Sequence, residues 1–398
     1  MTVKTPITGE AWKEALDKSL VFLRAHAGFL FCAYPDADAV GSMLALALYL
    51  QRLGKQTWLV RPGPLHENVD FLEAILNHNR ITILDSPQSI QNAAPQVEAL
   101  VFCDTANRQL VPFFSELDRL FLQKGRPVLE LDHHFGTDSA AVARHGIHLF
   151  RQANATTEIA AELLERYHRK TPGTPNPFEQ RNIVISLLTG LITDTGGGNI
   201  PIRPEDYRFW NHRLGELLRR QTHPGPHPGN AAPQFSSPAD IRKFLTRLSE
   251  EQTECVEALK RRIRHQSGIG VLNLLDSVRP TLEGPCRTQD PVWFTHILDT
   301  MANLVTEEAG QVGLLFYSDK TAAGEDCIYL KMRRTLGCPL DLRETESAVQ
   351  AAFGEHHLGG GGHPGAVSYR IRPLPEPKFL EGIERLTAYL SSRLDGAD

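Results

Sequence analysis

Phe29-Leu30-Phe31-Cys32-Ala33-Tyr34-Pro35-Asp36-Ala37-Asp38-Ala39-Val40-Gly41-Ser42 carries the chain from an apolar run, through a turn, into an amphipathic segment. Residues 29–33 read as a buried strand, and residues 42–53 place apolar side chains at the three- and four-residue spacing of a helix. The succession recurs. Residues 57–60, 81–84, 99–103 and 128–131 read as further strands, and residues 10–25, 69–77, 115–122, 156–167 and 181–191 as helices. Short apolar runs alternating with helical segments predict βαβ units around a mostly parallel sheet, so the expected fold class is α/β.

Residues 222–238 contain His223-Pro224-Gly225-Pro226-His227-Pro228-Gly229, which breaks regular structure because proline removes backbone donors and glycine costs entropy. A linker is expected there, over residues 222–240, between a first domain at 1–221 and a second at 241–398. In the latter, residues 241–265 read as helical, 269–275 as a strand, 292–308 as a helix, 312–317 and 327–332 as neighbouring strands, and 379–394 as a closing helix. A second, smaller α/β domain follows.

The 398 residues, 41% hydrophobic and 22% charged, exceed one typical domain and exclude a largely disordered or fibrous chain. With 42 Lys plus Arg against 47 Asp plus Glu, the net charge of -5 supplies no field for gathering long nucleic acid, so any polyanion must be met locally. Six cysteines without a Cys-x-x-Cys pair argue against a zinc ribbon or a dense disulfide framework and suit a reducing compartment. The early apolar run at 20–33 is interrupted by Arg24 and His26 and is too short for a membrane span, and the opening residues lack the order of a secretion signal. A cytoplasmic protein without a membrane partner is expected.

The chemistry concentrates at strand ends, where parallel α/β sheets place ligands. Asp36 and Asp38 follow the first strand, Asp104 follows residues 99–103, and Asp132-His133-His134 follow residues 128–131. Carboxylates and imidazoles aimed at one point need a cation between them, and a mix rich in carboxylate suits manganese or magnesium better than a closed zinc site. Thr189-Gly190-Leu191-Ile192-Thr193-Asp194 adds an aspartate at the end of an apolar helix. By itself Asp194 is a helix terminus; beside the others it becomes a candidate ligand.

These motifs, with Gly359-Gly360-Gly361-Gly362-His363 and Ala366 after them in order, resemble the DHH phosphoesterases. The likeness is to the subgroup with a DHH-associated C-terminal domain, which contains the nanoRNase or oligoribonuclease and the 3′-phosphoadenosine 5′-phosphate phosphatase and is related to RecJ. It runs from residue 29 to residue 371. The resemblance implies a two-metal phosphoesterase with two divalent cations, usually manganese and alternatively magnesium, working in a cleft between two domains. Asp104 would bridge the ions and Asp36 would serve the first. Asp38, His133 and Asp194 would serve the second. His134 would face the substrate phosphate, and Asp132 would orient its motif. Arg333 and the run Gly360, Gly361, Gly362 and His363 would hold the substrate, whereas Glu158 is read as a helix residue.

One position departs from the family, which carries histidine where this chain has Cys32. Cys32 is thus either a softer ligand for the first ion or a small core residue. The function implied is hydrolysis of short oligonucleotides, linear dinucleotides or 3′-phosphoadenosine 5′-phosphate. No long duplex is expected as partner, and a homodimer fits by analogy. The alternatives are a nucleotide-binding sensor impaired through Cys32, and a RecJ-like single-strand exonuclease.

Overall fold

Asp36 accepts a hydrogen bond from the Ala39 amide at 2.9 Å and caps helix α2 (Ala37–Arg52). The helix therefore begins five residues before the start expected at 42, and Asp38 lies in its first turn instead of in a loop. In this computed structural model residues 3–65, 67–136, 139–221, 235–275, 286, 291–321 and 324–395 are described. Residues 222–234, most of the expected linker, lie outside them. The described chain forms two units, residues 1–135 with 139–245, and residues 136–138 with 246–398.

The first unit holds strands β1 (Gly28–Cys32), β2 (Gln56–Val60), β3 (Thr82–Leu84), β4 (Ala99–Cys103), β5 (Val128–Asp132) and, after the two-residue β6 (Phe135–Gly136), β7 (Ile147–Phe150). Its sheet runs β3-β2-β1-β4-β5-β7 with every pairing parallel. Around it lie α1 (Gly9–Ala25), α2, α3 (Asp70–His78), α4 (Pro87–Ala93), α5 (Phe114–Leu117), α6 (Thr156–Lys170), α7 (Arg181–Asp194), α8 (Pro204–Arg220) and α9 (Pro238–Leu245). Successive strand residues alternate between two cores. Phe29 and Phe31 pack with Leu44, Ile159, Ile183 and Leu187 on one face, while Leu30 and Cys32 pack with Ile90, Leu100, Phe102 and Leu117 on the other.

This unit runs past the boundary expected at 240, because Phe235, Ile241 and Leu245 are buried in its first core. The expected helix at 241–265 is in fact α9, then α10 (Glu250–Lys260), then strand β8 (Arg264–Gln266). Ser249 interrupts it by capping α10 in a reciprocal box with Gln252.

The second unit continues with β9 (Ile269–Leu274), α11 (Pro291–Ala309), β10 (Val312–Lys320), β11 (Asp326–Arg334), α12 (Glu346–Phe353), β12 (His357–His363), β13 (Ala366–Ile371) and α13 (Glu376–Asp395). Strands β12-β13-β11-β10-β9-β8 lie side by side, with only β9 and β10 parallel among them. Phe316 and Leu330 face Phe353 and Phe379 of α12 and α13, while Leu272 and Leu315 face Phe294 and Met301 of α11. Cys255 and Cys286 form a disulfide, a pairing that their scattered spacing did not announce. Among the described residues no helix is long and apolar enough to cross a membrane.

Candidate active site

In the order β3-β2-β1-β4-β5-β7 the chain moves outward from β1 in one direction and then returns to build outward from β4 in the other. The crevice at that reversal, beyond the carboxyl ends of β1 and β4, is where such sheets bind ligands. Asp36 and Asp38 leave the end of β1, Asp104 follows β4, and Asp132-His133-His134 end and follow β5. The Asp104 amide donates to Leu131 O at 2.9 Å, which ties the ends of β4 and β5 together. Asp104 itself adopts φ +48°, a conformation uncommon for a residue with a Cβ and one that functional sites tend to retain.

Four side chains converge. His133 Nε2 lies 3.1 Å from Asp194 Oδ2, 3.4 Å from Asp104 Oδ1 and 3.9 Å from Asp38 Oδ2, and one donor atom from each residue falls within 4.8 Å of the others. Asp104, His133 and His134 make a second, overlapping group. The His133 Nδ1 is bonded to Ala153 O at 3.2 Å, which fixes the proton there and leaves the Nε2 lone pair aimed at the carboxylates. That Nε2 is buried and has no hydrogen-bond partner. A carbonyl partner on one ring nitrogen and an orphaned acceptor on the other is the arrangement of a metal-ligating histidine, so these residues fit a divalent cation.

Neighbouring backbone organises the carboxylates. At the start of α6 the Thr156 and Thr157 amides donate to Asp38 at 2.5 and 2.9 Å, and Thr156 Oγ1 donates to Asp104 Oδ1 at 2.9 Å. A helix N-terminus favours anions, which offsets part of the cost of burying Asp38. Gly190 of α7 is required at the same spot: a Cβ there would stand 2.2 Å from Asp38 Oδ1 and 2.8 Å from its Cα. Glu158 accepts from Arg151 at 3.0 Å and from Asn154 Nδ2 at 2.7 Å, so it braces the segment that presents Ala153 O to His133. This agrees with its reading as a helix residue.

Burial, followed by the Asp104 and Asp194 charges, pushes the Asp38 carboxyl well above the usual carboxylate range. Burial also raises Asp194. Burial would lower His133, but the adjoining Asp104 and Asp194 outweigh it and raise it well above the ordinary imidazole value. The pattern is that of an anionic cluster in want of positive charge.

Asp132 is handled differently. Burial alone would raise its carboxyl; the Lys4 ammonium and His134 reverse this and hold it well below the usual range. Lys4 Nζ donates to Asp132 Oδ2 and to Thr105 O, both at 2.5 Å, and is itself buried. The other Asp132 oxygen accepts from His134 Nδ1 at 2.9 Å. Neither Lys4 nor Thr156 was singled out in the sequence, since nothing local relates them to residues more than fifty positions away.

The remaining candidates divide. Asp36 is exposed and caps α2 beside the cluster, outside the two groups of converging donors. Of the two readings of Cys32, its surroundings favour the core residue: it is fully buried, shares its sheet face with Leu30, Val60 and Phe102, and belongs to neither donor group. Burial, followed by the neighbouring Cys103, pushes its thiol well above the ordinary value. In the second unit the Arg333 guanidinium is held by Asp299 Oδ1 at 3.1 Å and by Asn303. Gly360, Gly361 and Gly362 are not an open loop; they pair with Tyr369, Ser368 and Val367 as strand β12. Gly362 has φ +150°, and a Cβ there would stand 2.2 Å from Ala366 O. The His363 side chain lies outside what is described.

Residues 29–191 match the DHH family, N-terminal domain. An exopolyphosphatase-related protein from Bacteroides fragilis is similar in structure at 16% identity and TM-score 0.64, over 96% of this chain and 98% of that one. RecJ from Thermus thermophilus, in complex with Mn2+, is similar at 15% identity and TM-score 0.51, over 98% of this chain and 56% of its own. The DHH domain of a member of a family of ribosomal proteins is similar at 14% identity and TM-score 0.53, over 96% of this chain and 91% of that one. At these identities the three establish a shared fold. The converging carboxylates and histidines of the first unit thus stand within and just beyond residues 29–191, the stretch that matches the DHH family, N-terminal domain.

Proposed function

We propose that this protein is a phosphoesterase that uses two divalent cations, manganese or alternatively magnesium, on short oligonucleotides, linear dinucleotides or 3′-phosphoadenosine 5′-phosphate. The observation that carries the reading is His133 Nε2, buried and without a hydrogen-bond partner among three carboxylates. Asp38, His133 and Asp194 would hold one ion, Asp36 the other, and Asp104 both. When bound, such ions supply Lewis acidity that makes water acidic and offsets charge on phosphate oxygens. His134 keeps Nδ1 on Asp132, which orients its ring; the Asp132 and Asp104 charges outweigh burial and raise its pKa, favouring the protonated form, whose Nε2–H would donate to a phosphate oxygen.

Matches to an exopolyphosphatase-related protein and to a manganese-bound RecJ support phosphate-ester chemistry. The net charge of -5 favours a short substrate over a long polymer. Arg333, Gly360, Gly361, Gly362 and His363 are the proposed substrate-holding residues of the second unit. The sensor alternative rests on Cys32 as an impaired ligand, and its packing with Leu30 and Phe102 favours the enzyme over it.

The test is incubation of the full chain with manganese and 5′-phosphorylated diadenosine, with products separated chromatographically beside Asp104→Asn. Adenosine monophosphate from the parent, and at least about a hundredfold less from the variant, is expected. Equal release by both would overturn the assignment. No release by a parent shown to carry two manganese ions would overturn the substrate.

A further inference from the structure

One pocket of the first unit is lined by three arginines and a single carboxylate, Asp118. It has a volume of about 720 Å³ and opens beside Val128 and Ile147, the first residues of β5 and β7. The Asp-His-His motif is at the other end of β5. Four residues at a strand rise of roughly 3.3 Å separate the two by about 13 Å.

Arg108, Arg126, Arg144 and His145 line this pocket from three separate stretches of chain: the turn after β4, the approach to β5 and the approach to β7. Among the described residues none of these four has an ion-pair partner. In a chain of net charge -5, three unpaired guanidiniums around one concavity form a local positive field. The acid on the rim, Asp118, is bonded to Gln123 Nε2 at 2.7 Å. Phe114 supplies an aromatic wall, with the Arg108 guanidinium 5.8 Å from its ring centroid. The volume lies within the range of about 300–1,000 Å³ typical of small-ligand sites. Guanidinium forks match phosphate oxygens, and the aromatic wall offers a surface on which a base can stack.

We propose that this pocket is a second ligand site, separate from the carboxylate and histidine cluster, and that it takes a nucleoside polyphosphate. Arg108, Arg126 and Arg144 hold the phosphates, and Phe114 takes the base. The pocket stands whatever reaction the other site performs.

The experiment is calorimetric titration of the full chain with ATP in excess chelator, which keeps divalent cations from the carboxylate cluster. Inorganic triphosphate is the second probe. Saturable ATP binding is expected, and Arg126→Glu with Arg144→Glu should weaken it at least about tenfold, since each reversal replaces an attractive contact by a repulsive one. Asp118→Asn should tighten it by about threefold through loss of one negative charge. Because a charge reversal can disturb folding, that milder variant tests the same field from the opposite direction. Inorganic triphosphate should bind about tenfold or more weakly than ATP if the base stacks. ATP binding indifferent to both sets of variants, or none at millimolar concentration, overturns the site. Equal affinity for triphosphate and ATP overturns the nucleoside assignment.

Discussion

Replacing Lys4 by methionine would remove the ammonium while keeping most of the apolar stem. The Asp132 carboxylate would then be left in a site where it is 2% exposed, with only His134 as a strong partner, and Thr105 O would lose a donor. Breaking a buried ion pair from one side costs about 3–5 kcal/mol; the bond kept with His134 puts the expectation at the lower end, about 3 kcal/mol. Urea unfolding followed by tryptophan fluorescence suits the question, because Trp12, Trp58 and Trp210 lie in the first unit and only Trp293 in the second.

The pH dependence has a definite sign. In the parent the depressed Asp132 contributes stability that is complete above its unfolded value and is lost as pH falls through its folded value. Lys4→Met raises the folded value, so the acid loss should begin at higher pH. Adding Asp132→Asn to Lys4→Met should recover part of the destabilisation, because the orphaned charge disappears. A loss below about 1 kcal/mol for Lys4→Met, or a double variant weaker by the full sum of the singles, would refute the buried-pair reasoning.

Burial pushes the Glu130 carboxyl to about 7 from 4.5. The folded state therefore holds a proton that the unfolded state has released, and stability declines between those values as pH rises; Glu130→Gln should flatten this decline by up to about 3 kcal/mol in unfolding experiments across pH 4.5–7. Gly190→Ala should displace Asp38 and lower stability by about 1–3 kcal/mol, and a parallel drop in manganese affinity by titration is the sign that the carboxylate has moved. Cys32→Ala should cost about 1 kcal/mol or more from the lost core contact and leave manganese stoichiometry unchanged; a lost ion would return Cys32 to the ligand set.

The strand-end acids were legible because a parallel sheet makes the end of each apolar run a functional address, and Asp104 and Asp132-His133-His134 each follow or close one. Cys32 was ambiguous for a related reason. All five residues of β1 are buried, so no alternation of polar and apolar residues reveals that Cys32 faces the opposite core from Phe31. The α2 boundary was read late because the capping role of Asp36 could be mistaken for a turn. The glycine run did not read as a strand, since glycine has poor strand propensity and β12 gains its place from pairing with β13. Lys4 and Thr156 were beyond reach: their partners Asp132 and Asp38 are 128 and 118 residues distant, and only the folded chain brings them together.

The converging donors are spread from Asp38 to Asp194, with the bracing amides of α6 between them and α7 supplying Gly190 and then Asp194 last. During synthesis, then, no amino-terminal fragment can present the whole set before the second half of the unit has been made and packed. A cation captured by these residues would mark finished assembly and would be unable to template the early steps. A chain truncated before α7 would still carry the Asp-His-His motif, yet it would lack both Asp194 and the close helix contact that positions Asp38. Quality control by protease or chaperone could therefore read metal loading as a single late signal that this unit is complete.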